Sequence, residues 1–340
     1  MPRVLKVPAP VGPGGHLRVL SPGMPTLAYV PDRVERGVRA LTDAGWKVSF
    51  GENAFLISAD GLTAGTPAER ARDLMDAFTD PSVDAILAAD AGLGSEDLLD
   101  ALDPDLIAAH PKPFLGYCDN VYLNHFLAAK AGISSLYGCT FMVHIGEAGG
   151  AYPETLDYLA AALDSAAPLR CHPVPSRTAG VIDWYVPDRE RIPRTRDVPG
   201  GWTWLRPGVA RGPLLGGELT LLPELIERFD LTLDGTLLFW DVSYHGLDVA
   251  PLFAALCAAA DLTRLGGMII GGHPQLTPED WAKTVRELVD EHLPEPAFPI
   301  VVNADISHTC PAWIVPFGEE ADLDPVGGLL FRRGRTAGRS

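Results

Sequence analysis

The chain is poor in cysteine, and its few cysteines do not have the spacing of a metal site. Five occur among 340 residues, at positions 118, 139, 171, 257 and 310. An odd number without a CxxC pair is typical of reduced thiols rather than of a disulfide framework or a zinc site. We therefore expect a metal-free protein that uses no cofactor.

Basic residues are also scarce, and long apolar runs are missing. The 27 Lys and Arg residues against 44 Asp and Glu give a net charge of -17. Phosphate backbones and anionic bilayers need a basic face, so we expect neither a nucleic-acid nor a membrane partner. No stretch free of charge and proline is long enough to span a bilayer, and the first residues lack the apolar core of a secretion signal. These absences predict a cytoplasmic protein.

What is present is an alternation of short apolar runs with longer amphipathic ones. Over residues 1–167 it predicts an N-terminal α/β domain with a mostly parallel, Rossmann-like sheet. Residues 168–213 are rich in Pro, Arg and Gly and predict a crossing linker with a Trp-rich loop. The alternation returns over residues 214–340 and predicts a smaller C-terminal α/β domain.

The most informative short segment is Gly116–Asn120, which reads GYCDN. An apolar run precedes it, and residues 121–131 carry apolar side chains at helical spacing up to Gly132. This pattern predicts a strand, a sharp turn and a helix, a geometry that exposes a nucleophile and directs backbone N–H groups at an oxyanion. Cys118 is the candidate nucleophile. The alternative is a buried structural cysteine, as most free cysteines are.

Motifs along nearly the whole chain resemble one family. They are LSPG at 20–23, TAGTPAERARDLMDAFTDPSVDAI at 63–86, GSEDLLDALD at 94–103, PKPFLGYCDN at 111–120, GWTW at 201–204, LLGGEL at 214–219, LLFWDV at 237–242 and NADISHTCPAWIVPFG at 303–318. Each is weak alone, but their order and spacing are specific. The chain resembles the LD-carboxypeptidase and microcin C immunity peptidase family of serine hydrolases.

The resemblance implies a catalytic triad in which Cys118 replaces the family's serine. Asp241 stands where the family has a glutamate, and His308 matches the family's histidine. The chemistry agrees, because a thiol with a pKa near ~8.5 needs an imidazole to become a thiolate, and an imidazole needs a carboxylate to fix its tautomer. Without the resemblance, His308 could be a loop histidine, and Asp241 a helix cap or the partner of a cation. The family also implies a homodimer.

The resemblance places an oxyanion hole beside the thiol. Its donors would be the backbone N–H groups of Asp119 and Gly92, the latter in the corner Ala91–Gly94, where the family commonly has two glycines. A donor survives at Ala91 provided that this residue does not need a positive φ. The corner could also be no more than a tight turn between a strand and a helix.

Two acidic residues depart from the family and would line the site. Asp90 replaces an arginine that is common in the carboxypeptidases, and Glu218 replaces an asparagine. Together with Asp241 they would repel a substrate carboxylate and would favour an amine, a guanidine or a sugar-like group. Alternatively, Asp90 caps the following helix and Glu218 is solvated.

Tryptophans of the Pro-rich segment are the remaining candidates for substrate contact. Trp202 and Trp204 match a loop that stacks on the aromatic or nucleoside part of the substrate in the microcin immunity branch, and Trp184 and Tyr185 lie in the matching region. Tryptophan in such a segment more often covers a seam between domains.

These observations predict an amide or peptide hydrolase that acts on a small or short peptide-like amide through a thioester on Cys118. Two alternatives stay open. One is an acyltransferase or amide-forming enzyme that uses the same acyl-cysteine intermediate. The other is a catalytically silent binding homologue, which the combined changes at Cys118, Asp241 and Glu218 would favour.

Overall fold

A computed structural model of the chain describes residues 4–178, 186–243, 248–293 and 295–333. Trp184, Tyr185 and His245 lie outside the described residues. Up to residue 167 the strands are β1 (His16–Leu20), β2 (Lys47–Phe50), β3 (Ala85–Ala88), β4 (Phe114–Gly116) and β5 (Ser135–Tyr137). The helices there are α1 (Thr26–Tyr29), α2 (Pro31–Asp43), α3 (Pro67–Thr79), α4 (Pro104–Ala109), α5 (Val121–Phe126) and α6 (Pro153–Leu163).

The rest of the chain is richer in strands. The strands are β6 (Leu169–Cys171), β7 (Ser176–Arg177), β8 (Val198–Pro199), β9 (Thr203–Arg206), β10 (Ala210–Glu218), β11 (Leu237–Asp241), β12 (Gly267–Gly271), β13 (Ile300–Ala304), β14 (Val315–Phe317), β15 (Glu320–Asp324) and β16 (Gly328–Phe331). The helices are α7 (Pro187–Glu190), α8 (Leu222–Phe229), α9 (Val249–Ala259) and α10 (Pro278–His292). No helix within the described ranges has both the length and the apolar character needed to cross a bilayer.

The described chain divides into two compact units. The first comprises Met1–Ala167, Ile182–Arg194 and Ile314–Pro316, and the second comprises Pro168–Val181, Thr195–Trp313 and Phe317–Ser340.

The first unit is built on a six-stranded sheet in the order β14-β5-β4-β3-β1-β2. The contacts among β1 to β5 are parallel, so the loops that follow β1, β3 and β4 leave the same edge of the sheet. The chain reverses direction across the sheet between β1 and β3, which is where open α/β sheets bind their ligands. Helix α3 begins with a capping box in which Thr66 and Glu69 exchange hydrogen bonds, and Pro67 fills its first position.

The second unit has an eight-stranded sheet in the order β6-β16-β15-β10-β11-β12-β13-β9. The four central strands β10 to β13 are parallel, and β11, β12 and β13 are buried along their whole length. Such strands read as continuous apolar runs because both faces are covered. The outer strands pair in antiparallel fashion.

Residues 168–213, for which the sequence predicts a crossing linker, contain four complete short strands. Two of them, β6 and β9, form the opposite edges of the eight-stranded sheet. They have three and four residues among prolines and glycines. Edge strands tolerate such neighbours because only one side of the strand is hydrogen-bonded to the sheet. The alternation that marks a longer strand is therefore absent.

Candidate active site

The GYCDN segment forms a sharp turn at the carboxyl end of β4. Cys118 has a φ of 53°, a left-handed conformation that is rare for a residue with a side chain. A 3₁₀ turn covers Cys118–Asn120 and leads into α5. The helix predicted to run to residue 131 is instead α-helical only to Phe126, and a π-helical turn completes it. The predicted order of strand, turn and helix is present, and it leaves Cys118 partly exposed.

Tyr137 supports the strained residue from the neighbouring strand. Its side chain is buried at the end of β5, and its hydroxyl oxygen accepts the backbone N–H of Cys118 at 3.3 Å. The ring also packs edge-on against Tyr117. The conformation of the nucleophile candidate is thus held by a side chain that lies 19 residues further along the chain.

The glycine corner follows β3. Gly92 and Gly94 have φ values of 106° and 97°, so glycine is required at both, whereas Ala91 does not have a positive φ. The condition for an alanine at this position is therefore met. Arg70 fixes the far end of the corner, because its Nη1 donates to the carbonyl oxygen of Gly94 at 2.6 Å.

The side chains of the elbow reach back to this corner. The carboxylate of Asp119 accepts the backbone N–H of Ser95 at 3.0 Å, and the amide of Asn120 donates to the hydroxyl of Ser95 at 3.0 Å. Burial raises the pKa of Asp119 to about 7. The nearby carboxylate of Glu96 acts in the same direction, while the hydrogen bonds from Ser95 oppose it. The elbow and the corner are therefore joined by side chains as well as by the sheet.

Asp90 is a buried acid at the start of the corner. Burial raises its pKa to about 7, against the opposing effect of the Arg33 guanidinium. The proposal that it caps the following helix is wrong, since the next helical turn begins after Ser95.

His308 and Asp241 form a buried pair in the second unit. Nδ1 of His308 lies 2.5 Å from Oδ2 of Asp241, and the two side chains are 3% and 0% exposed. Asp241 is the last residue of β11, and it does not cap α9, because the side chain of Asp248 does so. An aspartate thus reaches the histidine despite being one methylene shorter than the family's glutamate.

A glycine makes room for this pair. A Cβ on Gly271, at the end of the neighbouring strand β12, would lie 2.6 Å from Cβ of Asp241 and 2.5 Å from the carbonyl oxygen of Ile306. Real Cβ atoms do not approach so closely. The strand that carries the carboxylate and the loop that carries His308 can therefore lie together only because residue 271 has no side chain.

Glu218 stands beside Asp241 at the end of β10, where the two residues are paired in register. Its carboxylate accepts the backbone N–H groups of Thr220 at 2.8 Å and Ser243 at 3.2 Å, and also the hydroxyl of Thr220. The alternative that Glu218 is solvated is wrong, since the residue is 1% exposed. Its oxygens hold the loops after β10 and β11 in place.

Asp305 is a buried carboxylate that the sequence analysis did not assign to the site. Its Oδ2 accepts the indole N–H of Trp202 at 2.8 Å and the backbone N–H of Val174 at 3.0 Å. Burial raises its pKa to about 6, although these bonds and the Arg177 guanidinium, 3.9 Å away, oppose the shift. The only signal in the sequence is an aspartate three residues before His308. Asp305 fixes the Trp202 indole to the segment that carries the histidine.

Arg177 is the second residue that sequence reasoning missed. Its side chain is buried and donates to both the carbonyl oxygen and the side-chain oxygen of Asn303, each at 3.1 Å. Asn303 has a φ of 63° and needs such support. Arg177 occupies the space beside Gly272, where a Cβ would lie 2.4 Å from Nη1. Trp204, by contrast, lies on the edge strand β9 opposite Val301.

Across the described ranges, no group of three or more His, Cys, Asp or Glu side chains is arranged to hold a metal ion. Two stretches match known domains. Residues 17–138 match the LD-carboxypeptidase N-terminal domain, and residues 211–323 match the LD-carboxypeptidase C-terminal domain. The chain belongs to the LD-carboxypeptidase family. The resemblance drawn from the motifs is thereby confirmed.

Members of the LD-carboxypeptidase family are similar to the chain over almost its full length. A Streptomyces coelicolor protein named as a carboxypeptidase is 29% identical over 336 residues, which cover 96% of each chain. The microcin C7 self-immunity protein MccF of Escherichia coli is 24% identical and covers 93% of this chain and 92% of its own. Hydrolase activity is supported by these relatives.

Solved structures of the family have the same fold. An MccF-like protein from Bacillus anthracis superposes with a TM-score of 0.85 at 25% identity, covering 96% of this chain and 99% of its own. MccF in complex with glutamyl sulfamoyl guanosine gives a TM-score of 0.84 at 24% identity, with coverages of 97% and 98%. The predicted α/β fold with a mostly parallel sheet and a second sheet is confirmed.

Proposed function

We propose that this protein is an amide or peptide hydrolase that acts through a thioester on Cys118. His308 serves as acid and base, and Asp241 orients it. The observation that carries the proposal is the buried 2.5 Å contact between Nδ1 of His308 and Oδ2 of Asp241. A carboxylate on Nδ1 fixes the imidazole tautomer, and in a triad of this kind proton transfer runs through Nε2.

The reaction has two halves. His308 takes the proton of the Cys118 thiol, the Sγ thiolate attacks the amide carbon, and the carbonyl electrons move onto oxygen, where the N–H groups of Asp119 and Gly92 stabilise the charge. The oxyanion collapses as His308 protonates the leaving amine. Water then attacks the thioester with His308 as base, and the carboxylic acid and the thiol are released. Asp241 orients the ring and stabilises the imidazolium in both halves.

We propose a small amide or short peptide-like substrate. MccF, a relative of this chain, has been solved with aminoacyl sulfamoyl nucleosides, in which an aromatic base follows an aminoacyl group. Trp202, whose indole is oriented by Asp305, would stack on such a group, and Trp204 is the second candidate. We propose Asp90, Glu218 and Asp241 as the acidic side chains of the site, and each is engaged by its own neighbours.

Intact-protein mass spectrometry tests the nucleophile. The full-length protein is exposed to iodoacetamide, or to p-nitrophenyl esters of N-acylated amino acids, near neutral pH. We expect a single modification in the wild type, none in Cys118→Ala and a slower one in His308→Ala. The control is Cys257→Ala, because Cys257 is the other partly exposed cysteine within the described ranges and burial raises its pKa to about 11. Equal labelling of both thiols would contradict the proposal.

The second candidate function is acyl transfer. The observation that favours it is the thiol itself, because amines capture thioesters more readily than they capture the oxygen esters of serine enzymes. Primary amines added to the acylated protein would then give an amide in place of the free acid. Free acid alone would select hydrolysis. A silent binding homologue would retain affinity for the substrate and form no acyl-Cys118 at all.

Location and assembly complete the proposal. We propose a cytoplasmic homodimer, on the basis of the acidic composition and the family resemblance. Light scattering of the purified protein tests the assembly, since the chain has a mass of 36.4 kDa and a dimer has twice that value.

A further inference from the structure

Ser95 is the point at which the glycine corner meets the elbow. Its backbone N–H donates to Oδ2 of Asp119 at 3.0 Å, and its hydroxyl accepts from the side-chain amide of Asn120 at 3.0 Å. Asp119 and Asn120, the two residues after Cys118, therefore both bind Ser95, which follows Gly92 by three residues. Neither side chain has a role in the chemistry proposed above.

These contacts are shielded from water. Ser95 and Asn120 are 0% exposed, and Asp119 is 4% exposed. Loss of the Asp119 acceptor would leave the buried N–H of Ser95 without this partner. The same Gly94–Ser95 peptide group is held at its carbonyl oxygen by Arg70, which lies on α3. Removal of the Asp119 carboxylate would therefore leave this peptide group bonded to α3 but would release its N–H from the elbow.

The main chain of Asp119 and that of Gly92 supply the two oxyanion donors. An oxyanion hole works only when both N–H groups point at one oxygen, with donor distances of about 2.7–3.1 Å. Gly92 has a φ of 106°, a conformation that suits glycine and few other residues. A side chain that joins the corner to the elbow would set the separation of the two donors.

We propose that the carboxylate of Asp119 is a positioning residue for the oxyanion hole. The carboxylate holds Ser95 in place, and Ser95 in turn fixes the position of the Gly92 N–H relative to the N–H of Asp119. The inference rests on the proposed thioester chemistry and deepens it. It assigns two separate functions to one residue, since the N–H stabilises the charge and the side chain places the second donor.

Two reactions of the same thiol test this role. Acylation of Cys118 by a p-nitrophenyl ester passes through a tetrahedral oxyanion, whereas alkylation by iodoacetamide is a direct displacement that forms none. In Asp119→Ala we expect acylation to fall about 10- to 100-fold, as for a misplaced donor, and alkylation to stay within about twofold. Asp119→Asn keeps an oxygen that can accept the Ser95 N–H, and it should recover most of the acylation rate.

Asp73→Ala is the matched control. Asp73 is another buried carboxylate of the same unit, and it likewise accepts a backbone N–H, from Asn53 at 3.0 Å. It lies on α3 and its carboxylate bonds Asn53, which follows β2, and not the corner, so both rates should match the wild type. Equal losses of acylation and alkylation in Asp119→Ala would overturn the inference, because they would indicate a damaged thiol. Unchanged rates of both would also overturn it.

A measurement without substrate separates this inference from the proposed function. If wild-type Cys118 is not acylated, the proposed function fails, and the positioning role is then decided by amide hydrogen exchange. We expect the amides of residues 92–95 to exchange at least tenfold faster in Asp119→Ala than in the wild type and in Asp73→Ala. Equal exchange in the three proteins would overturn the inference, whatever the chemistry of Cys118.

Discussion

Replacement of Gly271 by alanine would press a methyl group against the carboxylate partner of His308. The added Cβ would lie 2.5 Å from the carbonyl oxygen of Ile306 and 2.6 Å from Cβ of Asp241, and ordinary contacts begin near 3.4 Å. Something must therefore move by about 0.8 Å. Gly271 does not have a positive φ, so the effect would be steric and not a matter of backbone strain.

The size of the effect follows from these distances. If Asp241 takes up the whole movement away from the imidazole, the 2.5 Å contact lengthens to about 3.3 Å, at the long end of the hydrogen-bond range, and most of its contribution is lost. A bond to a charged group contributes about 1.5–3 kcal/mol, which corresponds to about 10- to 100-fold in rate. Overpacking also lowers the free energy of unfolding by about 1–3 kcal/mol.

Gly267→Ala, at the other end of the same strand, is the matched control. The three nearest atoms to its Cβ would all belong to side chains, with Cδ2 of Leu237 at 2.9 Å, Cδ2 of Leu323 at 3.4 Å and Cβ of Ala210 at 3.6 Å. The assays are the acylation rate of Cys118, urea unfolding, and the downfield proton resonance of Nδ1–H of His308. We expect Gly271→Ala to lose the Nδ1–H resonance and to acylate Cys118 more slowly, whereas Gly267→Ala should keep both the resonance and the acylation rate. If it retains both to within twofold of Gly267→Ala, the steric argument is refuted.

Three further predictions concern the free energy of unfolding, measured by urea denaturation. Burial raises the pKa of Asp305 to about 6, so this group stabilises the fold at pH 4 and that contribution is lost as the pH rises through 6, by about 3 kcal/mol. In Asp305→Asn, which keeps Arg177, the free energy of unfolding should no longer show this decrease between pH 4 and pH 6. A pH profile equal to that of the wild type would contradict the prediction. Tyr137→Phe removes the acceptor of the Cys118 N–H and should cost about 1 kcal/mol, so an unaltered midpoint would disprove its supporting role. Thr66→Ala breaks the capping box of α3 and should cost about 1 kcal/mol, which a difference below 0.3 kcal/mol would exclude.

The parts of the site that the sequence predicts are those held by local structure. The elbow around Cys118 depends on a strand, a turn and a helix that follow one another in the chain, and their pattern is visible in a short window. The motif resemblance suggested that His308 and Asp241 belong together, and the structure pairs them across 67 residues. The α/β alternation is equally local and predicts the parallel sheets.

The parts that the sequence does not predict depend on distant partners. Asp305 meets Trp202 across 103 residues and Val174 across 131, and no periodicity in the sequence records either contact. The sequence allowed Glu218 to be solvated, because its position at the end of a strand does not indicate that Thr220 and Ser243 in the following loops bind its carboxylate. Tertiary contacts of this kind override any local pattern.

The close approach of Arg177 to Gly272 also limits how the family can diverge. A side chain at 272 would collide with the guanidinium, which in turn supports Asn303. A side chain at 272 would have to displace the guanidinium, and the left-handed Asn303 would then lose its donor. The two positions should therefore covary among relatives, with glycine favoured at 272 wherever 177 is arginine.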